Sequence, residues 1–359
     1  MAISTIPSAG ITGGGFNFRN LIINGDMSIA QRGTSASSVS TGYNTIDRFA
    51  IIQSNSSANW NESQSTDVPT SQGFSNSWKL LAATGGAVAS NQRTIIRQRF
   101  EGQNLQYLKK GTANAESVTS SFWVKSSTTG TYICQLRDTD NSRQISKSYT
   151  INSANTWEKK TITFDGDTTG TLDNDNNASL DIWWWLDAGT NYSSGTLQTS
   201  WGAQTDTDSA VGQTNLGAST NNDFYITGIQ LEIGTSASDF EFLPYDVNLR
   251  RCQRYFERLH NEATDNERVS VGWFNLSTNF NGLINYSEKR TSPTVTVNNA
   301  GDFRINYSNS AATPGSASSA FIGKRTCNVG WTVTGMTVGQ GGGVRTATTS
   351  ATIDVDAEL

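Results

Sequence analysis

Residues 221–259 read NNDFYITGIQLEIGTSASDFEFLPYDVNLRRCQRYFERL and contain three different patterns in one short span. In the first part of this stretch, side chains alternate between two faces with the two-residue period of a half-buried strand. Gly234 ends that strand, and Pro244 prevents an immediate return to helix. In residues 246–259 the apolar side chains then recur about every 3.6 positions, which predicts a basic amphipathic helix with Asp246 as its N-cap. We interpret the stretch as the end of one β-domain and a helical connector to a second.

The composition fits a chain of many short strands. Of the 359 residues, 16% are charged and 35% are hydrophobic, with Ser, Thr, Asn and Gly abundant among the rest. The 10 Trp, 10 Tyr and 15 Phe exclude a disordered polar chain. Antiparallel β-domains with polar outer faces and tight turns have this character. The net charge of −5 argues against a nucleic-acid partner.

Eight segments with a two-residue period, each bounded by small polar residues, predict strands between residues 74 and 233. They are Trp78–Leu81, Arg93–Phe100, Val118–Lys125, Thr131–Arg137, Ser146–Thr150, Trp157–Phe164, Leu180–Leu186 and Asp223–Glu232. Two earlier strands are expected at residues 21–23 and from residue 47, separated by a tight turn at Asn24-Gly25-Asp26. Because no helical pattern intervenes, we expect an all-β fold, a jelly-roll β-sandwich over residues 19–245.

A smaller set of strands follows the predicted connector at residues 246–260. The candidates are Val269–Asn275, Asn279–Ser287, Thr294–Asn298, Phe303–Ser308, Ala320–Lys324, Gly330–Val338 and Thr346–Val355. They predict a second, smaller C-terminal β-sandwich domain over residues 261–359. The Gly/Ser-rich segments 308–319 and 339–343 are expected to be mobile loops, and the second lacks the Lys-Ser/Thr of a phosphate loop.

Residues 1–18 are small, Gly-rich and punctuated by apolar side chains. Two interpretations fit them: a frayed tail, or a docking arm that orders only against a neighbouring protein. The apolar residues that such an arm would use are Ile3, Ile6, Ile11 and Phe16. The segment lacks the basic and apolar regions of a secretory signal, and no stretch of the chain has about 18 consecutive apolar residues. We therefore expect a soluble protein made in the cytoplasm, without membrane insertion.

The cysteines and the single histidine give no sign of a metal or catalytic site. Cys134, Cys252 and Cys327 are far apart and odd in number, and no CxxC occurs, which argues against a disulfide framework and a zinc site. Free thiols fit assembly in a reducing cytoplasm. His260 has no nucleophile motif around it, and we interpret it as a cation at the end of the predicted helix.

Three consecutive tryptophans form the most conspicuous candidate binding feature. Strand alternation places Trp184 in the core, and Trp183 and Trp185 on the other face with Asp181 and Asp187. An exposed aromatic pair beside carboxylates is a candidate glycan-binding site, because sugar rings stack on indoles. The interpretation that we favour is packing of this face on another domain or subunit, since apolar patches are seldom exposed on monomers.

An Asx-rich segment, DNDNN at residues 173–177, lies near Asp165 and Asp167 and offers many oxygen ligands. The EF-hand spacing fails, because Ala178 stands at the position of the invariant Gly and Trp184 at that of the bidentate Glu. A solvated turn is the better interpretation, and we expect no metal and no cofactor.

No catalytic motif is present. The chain lacks dinucleotide-binding, P-loop, zinc-protease and nucleophile-elbow patterns, and Asp138-Thr139-Asp140 is interpreted as a hairpin tip. We expect the protein not to be an enzyme. A polysaccharide depolymerase is a less favoured alternative, which requires two carboxylates about 5–10 Å apart in a cleft.

An ordered set of short motifs resembles a known kind of β-domain. The set begins with NLIINGDMSIAQRG at residues 20–33 and Asp47-Arg48-Phe49, and continues with SFWVK at 121–125, TWEK at 156–159, ITGIQLEIGTSASDFEF at 226–242 and LRRCQRY at 249–255. It is similar to a β-domain common in tail-fibre and other virion proteins of bacteriophages, marine ones especially. The chain departs from the family pattern at Ser238-Asp239, where ATPFE often continues. Residues 260–359 resemble fibre-tip domains only in general character.

The resemblance implies a carbohydrate-binding-module-like jelly roll in a virion appendage, often a homotrimer, with no catalytic residues. We therefore expect a virion-located tail fibre or receptor-binding adhesin that attaches to a host-surface glycan or protein. Other virion proteins, of the tail or capsid, would bind the arm. The alternative is a capsid decoration or head-fibre protein. The side chains expected to meet near the trimer axis are Leu249, Arg250, Arg254, Tyr255, Phe256 and Leu259.

Overall fold

A computed structural model describes residues 19–39, 41–56, 58–260 and 266–359. The candidate docking residues Ile3, Ile6, Ile11 and Phe16 lie outside these ranges. The chain divides into two compact units, Met1–Pro244 and Tyr245–Leu359. In the described ranges, no helix is long and apolar enough to cross a membrane.

The first unit contains two six-stranded antiparallel sheets, whose strands are numbered in chain order. Sheet 1 has the order β1 (Ser35–Val39), β3 (Trp60–Ser65), β4 (Ser77–Ala82), β12 (Asp223–Ile233), β6 (Val118–Ser126), β9 (Glu158–Phe164). Sheet 2 has the order β11 (Gly202–Ala203), β8 (Arg143–Ile151), β7 (Gly130–Asp138), β10 (Ala178–Ala188), β5 (Arg93–Glu101), β2 (Ala50–Ser54). A four-residue helix, α1 (Thr190–Ser193), follows β10. All eight strands predicted between residues 74 and 233 are present.

The core of the first unit lies between the inner faces of these sheets. Phe122 and Val124 point inward from β6, while Tyr132 and Trp184 point inward from β7 and β10, and all four are buried. The rings of Phe122 and Trp184 meet edge to face at 5.9 Å. Two-residue alternation has thus placed one face of each strand in a common core, and the predicted all-β sandwich is confirmed.

Residues 21–23 do not form the strand that their apolar run predicted. The side chain of Gln98 takes the place of a neighbouring strand, accepting from the Ile23 N–H at 2.8 Å and donating to the Ile23 carbonyl at 2.9 Å. The turn that follows is present, but its positive φ falls on Asn24 (64°). Gly25 is needed for a different reason: a Cβ there would lie 2.1 Å from the Ile229 carbonyl oxygen.

The second unit is a smaller β-sandwich. Sheet 3 has the order β13 (Phe256–Leu259), β22 (Ile353–Asp356), β16 (Thr294–Val297). Sheet 4 has the order β18 (Ser310–Ala312), β17 (Phe303–Tyr307), β21 (Gly341–Thr346), β14 (Arg268–Leu276), β15 (Asn279–Asn285), β20 (Thr326–Thr332), β19 (Ser316–Ala320). Side chains of both sheets, among them Val295 and Val355 with Phe274 and Phe303, share one core.

The predicted helix over residues 246–259 is wrong in its second half. Helix α2 spans Tyr245–Gln253, and Phe256–Leu259 then pairs antiparallel with Ile353–Asp356. A short apolar run fits either period, and here the sheet partner decides. Tyr255 and Phe256 are buried in the chain, and Leu259 packs against the core of its own unit.

The burial of Tyr255 and Phe256 within the chain corrects the expectation that these two side chains pack against neighbouring subunits. Leu249 is partly exposed on α2, whereas Arg250 is exposed and Arg254 half-buried. Whether these three residues and the partly exposed Leu259 contact another copy of the chain stays a prediction.

Two Gly/Ser-rich segments that were predicted as mobile loops contain strands instead. Residues 308–319 include β18 and most of β19, while Gly341–Gly343 begin β21. Gly342 shows why small residues suit this position, because a Cβ there would lie 2.7 Å from the Asn306 carbonyl oxygen. The strand predicted at Ala320–Lys324 is therefore displaced, and it ends at Ala320.

Candidate functional site

The tryptophans of β10 are not an exposed binding surface. Trp183 and Trp185 lie on the outer face of sheet 2 as predicted, but they are only 4% and 1% exposed. They cluster with Ala210, and the ring of Tyr192 on α1 lies 5.7 Å from that of Trp185. Both sequence-based interpretations were therefore wrong, because residues after β10 in the same chain cover this face.

The two carboxylates beside these tryptophans are also buried. Asp187 is 3% exposed and accepts a hydrogen bond of 2.7 Å from the Gly217 N–H, and its burial raises its pKa to about 6. Asp181 is 1% exposed and accepts from Trp183 Nε1 at 3.2 Å. The predicted glycan-binding surface at Asp181, Trp183, Trp185 and Asp187 is therefore wrong, because all four side chains are buried.

Polar residues of the sequence motifs between residues 20 and 256 hold the first and last parts of the first unit together. Asn20 Oδ1 accepts from the backbone N–H groups of Ile22 and Leu231, both at 3.0 Å. Glu232 accepts from both the backbone and the hydroxyl of Ser238. The contact between Asn20 and Leu231 joins residues 211 positions apart, so the motif residues have a structural role.

The outer face of sheet 1 carries an open cavity of about 240 Å³, which we call the aromatic pocket. It is lined by Ser71, Gln72, Phe74, Ser121, Trp123, Lys159, Gly228, Asp239, Phe240 and Phe242. Three of the rings, Phe74, Phe240 and Phe242, contact one another with centroids 4.8–5.2 Å apart. Trp123 is half-buried and Phe242 is 50% exposed, so apolar ring surface is accessible there.

A bulge in β12 makes room for one wall of the aromatic pocket. The register of β12 against β6 shifts between Thr227 and Gln230, and Gly228 within the bulge has φ of 60°. A Cβ at Gly228 would lie 2.5 Å from the Phe74 ring, so only glycine lets that ring cross the strand. On the other side, the Glu241 N–H donates to Gln230 Oε1 at 2.9 Å and fixes the backbone between Phe240 and Phe242.

A row of aromatic and cationic side chains continues from the aromatic pocket across the same face. Tyr225 lies opposite both Lys79 and Lys125, and the Lys125 ammonium is 4.1 Å from the centre of its ring. Trp157 Nε1 donates to Asp67 Oδ1 at 2.9 Å. Burial alone would raise the pKa of Asp67, but hydrogen bonds from Lys125 and Trp157 outweigh it and lower that pKa. This face therefore combines flat rings with fixed charged groups.

Sequence reasoning placed Trp123 and Lys125 on one strand face but did not single them out. The alternation in SFWVK was the available signal, and it is confirmed by the burial of Phe122 and Val124. Nothing local indicated that Phe74 and Phe242 would meet Trp123, because that contact depends on the tertiary fold.

The Asx-rich region is held by cations of the chain itself. Lys110 is buried and pairs with Asp138 and with Asp167, the latter at 3.0 Å, while Arg143 binds Asp167 at 2.7 Å. Asp138 ends β7 and pairs with Arg143 in the β7–β8 hairpin, so the predicted hairpin tip is confirmed. Among the residues that the structure describes, no three metal-ligating side chains form a group.

The cysteines are free and buried, and none is a plausible nucleophile. Burial raises the pKa of Cys134 far above its ordinary value and that of Cys327 to about 11, with Tyr286 hydrogen-bonded to Cys327 opposing the second shift.

No family model and no curated protein matches the chain. Among solved structures, it is similar to the enzymatically active domain of tailspike protein 4 of bacteriophage CBA120, with 13% identity and a TM-score of 0.33. That match covers 60% of this chain but 22% of the tailspike chain. A putative sugar-binding protein from Bacteroides thetaiotaomicron matches at 10% identity and a TM-score of 0.34, over 60% of this chain and 100% of that one.

A family 11 carbohydrate-binding module from Clostridium thermocellum, in complex with a β-1,3-1,4-mixed-linked tetrasaccharide, is a further match. The identity is 11% and the TM-score 0.30, over 57% of this chain and 98% of that module. The structural neighbours thus include a carbohydrate-binding module and a phage tailspike domain. Identities and TM-scores this low carry no argument about what this chain binds.

Proposed function

We propose that this chain is a non-enzymatic structural protein of a bacteriophage particle, a tail fibre or adhesin, that binds a host-surface glycan in the aromatic pocket. The observation that carries the proposal is the pocket itself, in which Trp123, Phe74, Phe240 and Phe242 present ring surface beside polar groups. The phage assignment rests on the motif resemblance between residues 20 and 256.

The chemistry of the pocket suits a saccharide. Sugar rings have apolar C–H faces that stack on aromatic rings, and hydroxyl groups that need hydrogen-bond partners. Ser121, Lys159 and Asp239, which also line the pocket, supply such partners. The volume of about 240 Å³ is below the roughly 300–1,000 Å³ of pockets for drug-sized ligands, so we infer a site for one or two sugar rings.

The direct test is binding of the full chain to an array of bacterial-surface polysaccharides. We expect wild type to bind a subset of them, and Trp123→Ala to lower the affinity about tenfold or more. Stacking of a nucleic-acid base on one aromatic side chain contributes about 1–3 kcal/mol, and we expect stacking of a sugar ring to contribute a similar amount. Trp273→Ala is the matched control, since Trp273 is 52% exposed on β14 of the second unit.

The two variants separate the possible locations of recognition. If Trp273→Ala abolishes binding while Trp123→Ala leaves it unchanged, recognition belongs to the second unit and the pocket is not the site. Release of reducing ends from a bound polysaccharide would instead support the depolymerase alternative, and would overturn the non-enzymatic part of the proposal.

A homotrimer in the virion completes the proposal, because several weak glycan sites on one particle gain avidity. It is supported by the motif resemblance alone, since Tyr255 and Phe256 are buried in the chain. A stable monomer at micromolar concentration in light scattering would contradict it.

A further inference from the structure

Four arginines occupy neighbouring positions on the outer face of sheet 2, the face opposite the aromatic pocket. Arg99, Asp181 and Arg137 lie directly across three adjacent strands, β5, β10 and β7. Two residues further along these strands, Arg97 of β5 lies opposite Trp183 of β10, and Arg93 is the first residue of β5. We call these four residues the arginine cluster. In a chain of net charge −5, this is a marked local excess of positive charge.

One buried carboxylate, Asp181, pairs with two of the four arginines. Asp181 lies 3.7 Å from Arg97 Nη1 and 3.3 Å from Arg99 Nε. Arg137 and Arg93 instead lie over the Trp183 ring, at 4.1 and 5.6 Å from its centre. Within the described part of the chain, neither a hydrogen bond nor an ion pair holds the Arg137 guanidinium, so its donors are available to a ligand.

Burial and mutual repulsion both act against the charged forms of the arginines. Burial lowers the pKa of Arg137 to about 10; Asp181 opposes that shift, and neighbouring Arg93 adds to it. The pKa of Arg97 is lowered for the same reason, against the opposing effect of Asp181. Arg97 Nε is buried without a hydrogen-bond partner in the structure. A second anion would favour the cationic forms and satisfy these donors.

We propose that the arginine cluster is an anion-binding site that takes the carboxylate or sulfate group of an acidic saccharide. Guanidinium groups bind carboxylate and sulfate oxygens through paired, charge-assisted hydrogen bonds, and several of them together distinguish a charged sugar from a neutral one. Side-chain exposure of 28% at Arg99 and 14% at Arg97 opens one edge of the cluster to solvent. The site lies apart from the aromatic pocket and does not depend on it.

Calorimetric titration of the full chain with oligogalacturonate, inorganic sulfate and an uncharged galactan oligosaccharide tests the proposal. We expect oligogalacturonate to bind, more weakly as salt rises, and the galactan not to bind at the cluster. Arg99→Gln and Arg137→Gln should each lower the affinity about tenfold, the loss expected for charge-assisted hydrogen bonds. Arg304→Gln, on a strand of the second unit, should leave it unchanged.

Asp206→Asn keeps the test informative if either arginine variant fails to fold. Asp206 is exposed and acts on Arg137 through its charge, so its removal should raise the affinity for oligogalacturonate. Absence of binding at millimolar ligand, or affinities that none of the three substitutions changes, would overturn the proposal. Sulfate binding as tightly as the oligosaccharide would show that the site takes free anions, which overturns its assignment to an acidic saccharide.

Discussion

The two outer faces of the first unit are built by the same alternation and yet differ in what they present. On sheet 2, Trp183 and Trp185 are 4% and 1% exposed, because residues that follow β10 pack over them. On sheet 1, Trp123 is half-buried and Phe242 is 50% exposed, so rings of the same kind remain accessible. The difference shows that a strand's period assigns a side chain to a face, whereas distant loops decide whether that face is open.

Carboxylates on the two faces differ in the same way. Burial raises the pKa of Asp187 on the covered face to about 6, against the opposing hydrogen bond from Gly217. On the open face, hydrogen bonds from Lys125 and Trp157 outweigh the burial of Asp67 and lower its pKa. The part of the sheet 2 face around Asp187 therefore behaves as protein interior, and the sheet 1 face behaves as a polar surface.

Removal of a covered tryptophan should have the largest effect. We expect Trp185→Ala to lower the free energy of unfolding by about 3–5 kcal/mol, because a buried ring leaves a cavity that the fold only partly fills. Trp123→Ala, the matched change on the open face, should cost about 1 kcal/mol, as typical substitutions do. Urea unfolding of the first unit, followed by circular dichroism, gives both values. Equal costs would mean that the two faces do not differ.

This contrast also shows which features of the fold and of the site can be predicted from the sequence alone. Alternation in the strands correctly predicted the sandwich and the side of β10 on which each tryptophan lies. It did not predict the cover, because Thr190–Ser193 and the residues after it have no period that indicates what they pack against. Likewise, Phe74 and Phe242 reach Trp123 only through the bulge at Gly228, which depends on tertiary contacts.

Residues 254–259 show a second limit. Their apolar positions fit a helix and a strand almost equally, and the pairing of Phe256–Leu259 with Ile353–Asp356, about 100 residues later, decides between them. Local patterns predict elements well when they are long, and poorly where a remote partner selects the conformation. The docking arm and the trimer depend on partners outside the chain, and they stay predictions.

Titration of the covered carboxylate should have an intermediate effect. The pKa of Asp187 in the folded chain is about 6, above its ordinary 3.8, so the folded state binds this proton more tightly than the unfolded state. The stability that the group contributes is therefore present below about pH 4 and is lost as pH rises towards 6. At about 1.4 kcal/mol for each pKa unit, the loss is about 3 kcal/mol at most.

Asp187→Asn tests this assignment when urea unfolding is measured at pH 4.5 and pH 7. The variant should lose less stability than wild type between these values. Some loss should remain, because burial also raises the pKa of Glu62 to about 7 against hydrogen bonds from Thr45 and Asn44. Asp67→Asn is the control on the open face: the pKa of Asp67 is lowered from its ordinary 3.8, so this carboxyl is ionised in both states between pH 4.5 and pH 7, and the variant should keep the pH dependence of wild type. An unchanged pH dependence in Asp187→Asn would show that Asp187 is not desolvated.

The smallest effect on stability is expected at Phe242. Because half of this side chain is exposed, Phe242→Ser should change the free energy of unfolding by about 1 kcal/mol or less, most of it from lost contacts with Phe74 and Phe240. Glycan affinity should nevertheless fall as it does in Trp123→Ala, because the pocket loses a wall. A large loss of stability would show that Phe242 is packed as tightly as the covered tryptophans, and that the sheet 1 face is not open. A small loss of stability with unchanged glycan binding would show that the face is open but does not bind the glycan. Only a large loss of glycan binding with little change in the free energy of unfolding fits a ligand-binding surface.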